Sequence, residues 1–158
     1  VPVSFRHLIL PSRFPPYTQL LDMQPLQVRR AFKDSVVASA VENGLEIAAS
    51  YFGDRFEQFN PIQTQAFASL FETDSNALVS AAAGSGLTVC AEIAMTRLFL
   101  TRPTASAVYL VAGSKQEARR KAEELSNSFG NAFGVAVDCL KGEISSDLKL
   151  LDTPGSLM

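Results

Sequence analysis

The stretch Asn76-Ala77-Leu78-Val79-Ser80-Ala81-Ala82-Ala83-Gly84-Ser85-Gly86-Leu87-Thr88 decides how this chain reads. A short apolar run passes into small residues, then Gly-x-Gly-x-Thr, then helix formers. Strand, glycine turn and helix in that order make a phosphate-binding loop. The glycines let the backbone turn tightly and aim N–H groups at phosphate oxygens, and the helix behind adds the positive end of its dipole. In a complete loop a lysine reaches the terminal phosphates and a Ser or Thr hydroxyl holds magnesium. Here Thr88 stands at the metal position, and the lysine position holds Leu87. Leucine neither donates a hydrogen bond nor neutralises charge. Losing one transition-state donor lowers the chemical step by about 100-fold, and losing a cation is expected to lower it further. The loop N–H groups, the helix dipole and Thr88 remain, which leaves room for weak nucleotide binding. The plainer alternative is a turn that only joins strand to helix.

Working outward, the chain alternates. Asn76 to Ala81 is expected as a short buried strand. Leu87 to Leu100 should be a helix with Ala91, Ala94, Met95 and Leu98 on its stripe. Ala105 to Ala112 reads as a second buried strand and Val135 to Leu140 as a third. Ser114-Lys115-Gln116-Glu117 is a capping box that opens a helix to about Phe129. Ser145-Ser146-Asp147 is expected to cap a last helix over 148–151. Before the loop, Asn60-Pro61 opens another helix, with Asn60 as cap and Pro61 where its missing N–H costs nothing. That helix carries Ile62, Ala66, Phe67 and Leu70 on one face. Residues 28–52 are helical in spacing (Val36, Val37, Ala40, Val41, Leu45, Ala48, Ala49, Phe52), with a break expected at Asn43-Gly44. The alternation predicts an α/β fold, a parallel sheet flanked by helices.

Residues 1–27 read differently. Pro2, Pro11, Pro15, Pro16 and Pro25 remove backbone donors and disfavour helix. His7-Leu8-Ile9-Leu10 is a candidate short strand, and the whole segment is expected to run extended over neighbouring surfaces as a linker. The chain lacks an initiator Met, so a longer parent protein is expected. It has 158 residues, 47% hydrophobic and 19% charged, which suits one domain with a real core and excludes a disordered tail. A net charge of -2 gives no bulk attraction to nucleic acid, so any RNA contact must come from a local patch. Cys90 and Cys139 have no Cys-x-x-Cys spacing and read as reduced core thiols. No apolar run reaches membrane-spanning length, and Val1-Pro2-Val3-Ser4-Phe5-Arg6 has neither the charged region nor the apolar stretch of a signal peptide.

Several segments occur in order. They are Phe59-Asn60-Pro61-Ile62-Gln63-Thr64-Gln65-Ala66-Phe67, the loop 81–88 with Cys90-Ala91-Glu92 behind it, and Lys141-Gly142-Glu143-Ile144-Ser145-Ser146-Asp147-Leu148-Lys149-Leu150-Leu151. Together they resemble the first RecA-like domain of a superfamily-two DExH-box RNA helicase. Ser4-Phe5-Arg6-His7-Leu8-Ile9-Leu10-Pro11 and Phe14-Pro15-Pro16-Tyr17 onward to Leu26 resemble the linker between cassettes in the tandem-cassette, spliceosomal members of that family. Residues 28–55 match poorly.

The resemblance implies an incomplete RecA-like, P-loop sheet over 28–158, the N-terminal part of the domain, behind an inter-cassette linker at 1–27. It implies that Gln63 contacts adenine, against the alternative of a helix-surface glutamine. Ala83, Gly84, Ser85, Gly86, Leu87 and Thr88 then form a degenerate nucleotide site, with Thr88 meeting magnesium through ATP. Gly142-Glu143 matches an RNA-side motif, with Lys141 where relatives carry threonine, against the alternative of a plain turn after a strand; Lys115 stands in a second such motif that lacks its usual proline, against the alternative of a solvated helix face. No catalytic residue is implied: no Asp-Glu pair occurs anywhere in the chain. Arg97 lies nearly three helical turns beyond Leu87, too far round to replace the lysine.

The function implied is that of a degenerate C-terminal cassette, a pseudo-helicase working as a protein-interaction and regulatory platform in nuclear pre-mRNA splicing. ATP/Mg binding is expected to be weak. The partners implied are the N-terminal cassette of the same protein and other splicing proteins, with no membrane. The alternatives are a cassette that holds ATP without hydrolysing it, and an active helicase domain.

Overall fold

The computed structural model describes residues 24–37 and 42–158. The linker reading over 1–23, its His7–Leu10 strand included, and the places of Ala40 and Val41 lie outside the described residues. The helices are α1 (Val28–Lys33), α2 (Glu42–Gly53), α3 (Pro61–Phe67), α4 (Leu87–Thr101), α5 (Lys115–Leu125), α6 (Asn131–Phe133) and α7 (Ile144–Leu151). A π-helical turn, Ala68–Glu72, extends α3, and a second, Ser126–Gly130, joins α5 to α6. The strands β1 (Ala136–Val137) and β2 (Ser156–Leu157) pair in parallel. The result is a mixed helical fold around a small parallel ladder.

Local chemistry explains the helix starts. Asn60 accepts from the Gln63 N–H, and Gln63 reaches back to the Asn60 N–H, a capping box with Pro61 in the first turn. Ser114 and Glu117 repeat the device at α5, as expected. At α7 the expected cap fails in detail. The helix begins at Ile144, and Asp147 instead turns back to accept the Lys141 and Gly142 N–H groups at 2.9 and 2.8 Å.

The described residues of 28–53 include two helices, and the first ends at Lys33. Asn43-Gly44 lies inside α2. Val36 is 79% exposed, whereas Leu45, Ala48, Ala49 and Phe52 are buried as their spacing predicts. The hub of this region is Phe32. It stacks on Phe52 at 5.1 Å between centroids and meets Phe67 and Phe71 edge-on at 5.2 and 5.0 Å. Phe67 is buried as expected, but the inner face of α3 holds Gln63 and Thr64 in place of Ile62. Burial is possible because their polar atoms are bonded. Thr64 Oγ1 donates to the Phe59 carbonyl and accepts the Leu26 N–H.

The strands depart furthest from expectation. Asn76 to Ala81 carries no ladder bonds among the described residues, and Leu78 is 85% exposed. The expected buried strand is therefore an open, unpaired run: an apolar segment becomes a buried strand only when another strand lies beside it. Ala105 to Ala112 is paired only at Ala107 to Tyr109. The Ala107 N–H bonds to the Ser156 carbonyl, the Met158 N–H to Ala107 and the Tyr109 N–H to Met158. Its residues alternate, so Val108 and Leu110 face out at 53% and 88% exposure. Only Ala136–Val137 of the third expected strand is in the ladder, and its partner, Ser156–Leu157, has no strand signature in the sequence.

Two apolar clusters result. One gathers Val28, Phe32, Phe52, Phe59, Phe67, Phe71 and Ile93 between α1, α2, α3 and α4. The other holds Met95, Phe99, Leu125, Phe129, Val135 and Leu157. Tyr51 and Phe133 pack against both. Helix α4 contributes to each cluster, so the glycine loop that starts it is mounted on a helix anchored in both. No helix among the described residues is long and apolar enough to cross a membrane.

Candidate functional site

The glycine loop is turned as its residues require. Gly84 and Gly86 have φ of 79° and 83°, in the left-handed region that glycine enters without strain. Ser85 closes the turn on itself, its N–H and hydroxyl both donating to the Ala82 carbonyl at 3.2 and 2.5 Å. Gly86 is the N-cap of α4 and provides no side-chain cap. Leu87 and Thr88, the first two helical residues, therefore present N–H groups with no acceptor inside the helix. Leu87 is 36% exposed, and the Thr88 hydroxyl has no hydrogen-bond partner among the described residues.

Two side chains from the start of α3 hold this turn. Asn60 Nδ2 donates to the Ser85 carbonyl at 2.8 Å, and Gln63 Nε2 donates to the Gly86 carbonyl at 3.3 Å. Gln63 is only 4% exposed, so it is no helix-surface glutamine. Its Oε1 accepts the Asn60 N–H at 3.1 Å. Both ends of the carboxamide are thus engaged within the protein. Local sequence marks Asn60 only as a cap; its second contact, to the loop, has no signal there because its partner Ser85 lies 25 residues away.

The donor set fits a phosphate: exposed backbone N–H groups at the positive end of a 15-residue helix, with a hydroxyl beside them. It supplies no cation. Leu87 has none, and Arg97 is committed elsewhere, its guanidinium bonded to Asp74 and to the Phe71 carbonyl at 2.5 Å. Among the described residues no group of three His, Cys, Asp or Glu is placed to hold a metal ion. Any magnesium here would be held through Thr88 and the phosphates themselves.

Behind the loop, Glu92 of α4 is 2% exposed and pairs with Arg55 at 2.6 Å. The Arg55 guanidinium lies over the rings of Tyr51 and Phe56, 5.1 and 5.0 Å from their centroids. This ties the end of α2 to the loop helix. Burial pushes the pKa of the Tyr51 hydroxyl beside it up, against a smaller opposing effect of the Ser128 side chain. Burial likewise raises the Cys90 thiol, in keeping with an inert core cysteine.

No hydrogen bond or ion pair joins the RNA-side candidates to the loop among the described residues. Lys115 is exposed in the first turn of α5. The Gly142 N–H is already donated to Asp147, and Glu143 accepts from the Ser146 hydroxyl through its carbonyl at 3.1 Å. Grooves nearby are lined by Arg119, Asn127 and Lys141, and by Lys141, Ser145 and Lys149, with Asp138 in both.

Comparison with known proteins completes the picture. No family profile matches the chain. It is 42% identical over 154 residues to the activating signal cointegrator 1 complex subunit 3-like protein of Dictyostelium discoideum. It is 41% identical over 151 residues to the U5 small nuclear ribonucleoprotein 200 kDa helicase of Homo sapiens. It is 40% identical over 153 residues to the DExH-box ATP-dependent RNA helicase DExH13 of Arabidopsis thaliana. Each match takes in 96% of this chain and 6% of the relative's length.

Proposed function

We propose that this chain, which belongs to the DExH-box RNA helicases of the U5 small nuclear ribonucleoprotein type, is the N-terminal part of a RecA-like domain in a degenerate helicase cassette. In this reading the cassette hydrolyses little or no ATP. It acts in the nucleus as an interaction and regulatory platform in pre-mRNA splicing, docking the N-terminal cassette of the same protein and other splicing proteins. Residues 1–27 are the linker to that cassette. Lys115, Gly142 and Glu143 mark its RNA side.

The observation that carries the proposal is Leu87 at the first position of α4. It stands where a phosphate-binding loop keeps its cation, and Arg97, the basic residue of the same helix, is bonded to Asp74 and the Phe71 carbonyl instead. The test is a paired ATPase and pull-down measurement on the parent protein. With the other cassette inactivated, hydrolysis should be absent while splicing proteins are still captured. ATPase activity that persists in that background, or a cassette that captures neither splicing proteins nor the other cassette, overturns the proposal.

A second reading is favoured by the free donors of the loop: the cassette holds nucleotide without turning it over. The Leu87 and Thr88 N–H groups and the Thr88 hydroxyl would meet the phosphates, and Gln63 would have to release Gly86 to meet the base. Titration of labelled ATP decides. Binding that strengthens in Leu87→Lys by about tenfold, the worth of a hydrogen bond to a charged group, supports a decayed site. No binding at millimolar ATP removes this reading.

A further inference from the structure

We propose that Asn60 and Gln63 form a brace that keeps the glycine loop in its turned, helix-starting shape by protein contacts alone, with no ligand required. A glycine loop is intrinsically loose, because glycine loses more freedom on ordering than any other residue. Here two consecutive carbonyls before α4, those of Ser85 and Gly86, are each held by a side-chain amide from α3. The two amides are themselves locked together, since the Gln63 N–H donates to Asn60 Oδ1 at 2.9 Å and Gln63 Oε1 accepts the Asn60 N–H. One four-residue turn thus closes a capping box and grips the loop at the same time.

The fit is close on both sides. A Cβ at position 86 would sit 2.4 Å from Gln63 Nε2 and 3.0 Å from Asn60 Nδ2, so the brace needs glycine there for space as well as for its φ. At Gly84, outside the brace, a Cβ would meet nothing within 4 Å. Burial adds to the hold, because the Gln63 amide, 4% exposed, has no water to bond if it lets go. In this arrangement the phosphate-facing turn is a product of the α3–α4 contact and persists whether or not a phosphate is present.

Amide hydrogen exchange on the ligand-free chain tests this. The Ser85 and Val89 N–H groups, which bond to the Ala82 and Gly86 carbonyls, should be protected without nucleotide. Asn60→Asp keeps the cap acceptor and removes the donor to Ser85; Gln63→Glu keeps the acceptor for Asn60 and removes the donor to Gly86. Each should speed exchange at Ser85 and Val89 by about fivefold, the worth of one hydrogen bond, with the Glu117 N–H at the other capping box unchanged. Unprotected Ser85 and Val89 in the ligand-free wild type, or loop protection unaltered in both variants, overturns the proposal. If a variant loosens Glu117 equally, it has lost the fold, and protection in the wild type with and without MgATP decides.

Discussion

At the scale of single residues, two glycines two positions apart should behave very differently. Both have φ near +80°, so alanine at either must enter the left-handed region, at about 1–2 kcal/mol. Gly84 faces open space and Gly86 faces the Gln63 amide. Gly84→Ala should therefore cost about 1 kcal/mol. Gly86→Ala must also displace a buried amide from its carbonyl and should cost at least about 2 kcal/mol. Chemical denaturation of the two variants checks this, and equal losses would mean that the 60–63 turn does not press on the loop. The sequence identified both glycines and the empty lysine position, because loop chemistry is written in consecutive residues. It did not show that Gln63 is buried with both amide ends bonded. That fact depends on Gly86, which no local pattern ties to it.

At the scale of elements, what the sequence revealed and what it hid follow one physical rule. Helix starts at Pro61 and Lys115 were legible because a capping box is closed by residues three apart. Strands were not, because a strand is made by its neighbour. Asn76 to Ala81 has the composition without the neighbour, and Ser156–Leu157 has a neighbour without the composition. The Ser114–Glu117 box makes α5 sensitive to acid. The Glu117 carboxylate accepts from the Ser114 N–H and hydroxyl, which lowers its pKa. A lowered folded pKa means that the cap contributes fully above the ordinary glutamate value of about 4.3 and is lost as pH falls through the folded value. Amides of the first α5 turn should lose protection in that acid window, and Glu117→Gln should remove the pH dependence there. The Arg55–Glu92 pair was hidden for the same reason as the strands, its partners being 37 residues apart. Arg55→Met strands a buried carboxylate and should cost about 3 kcal/mol, at the low end for such a break because Arg55 is partly exposed. Arg55→Met with Glu92→Leu should recover part of that in the same denaturation experiment. A double variant no better than the single one would show that the pair is not what couples α2 to α4.

At the scale of the whole molecule, the two apolar clusters leave one region unfinished. The runs 76–81 and 105–111 are largely unpaired among the described residues, and they expose Leu78, Val108 and Leu110. Isolated exposed leucines are ordinary, but apolar side chains on open extended backbone join two hazards, bare apolar surface and unsatisfied strand edges. The 158-residue chain studied alone should therefore self-associate in a concentration-dependent way. Leu110 is the most informative position: it is 88% exposed, sits past the last ladder bond at Tyr109, and belongs to neither cluster. Replacing it removes association without touching the core. Leu110→Lys should shift sedimentation toward monomer, and Leu78→Lys should do the same. Stability should stay within about 0.5 kcal/mol of wild type in both, as for other surface changes. A parent chain already monomeric at high concentration would show that these runs cover themselves in solution. A large loss of stability in Leu110→Lys would show that the side chain is buried by the second cluster after all.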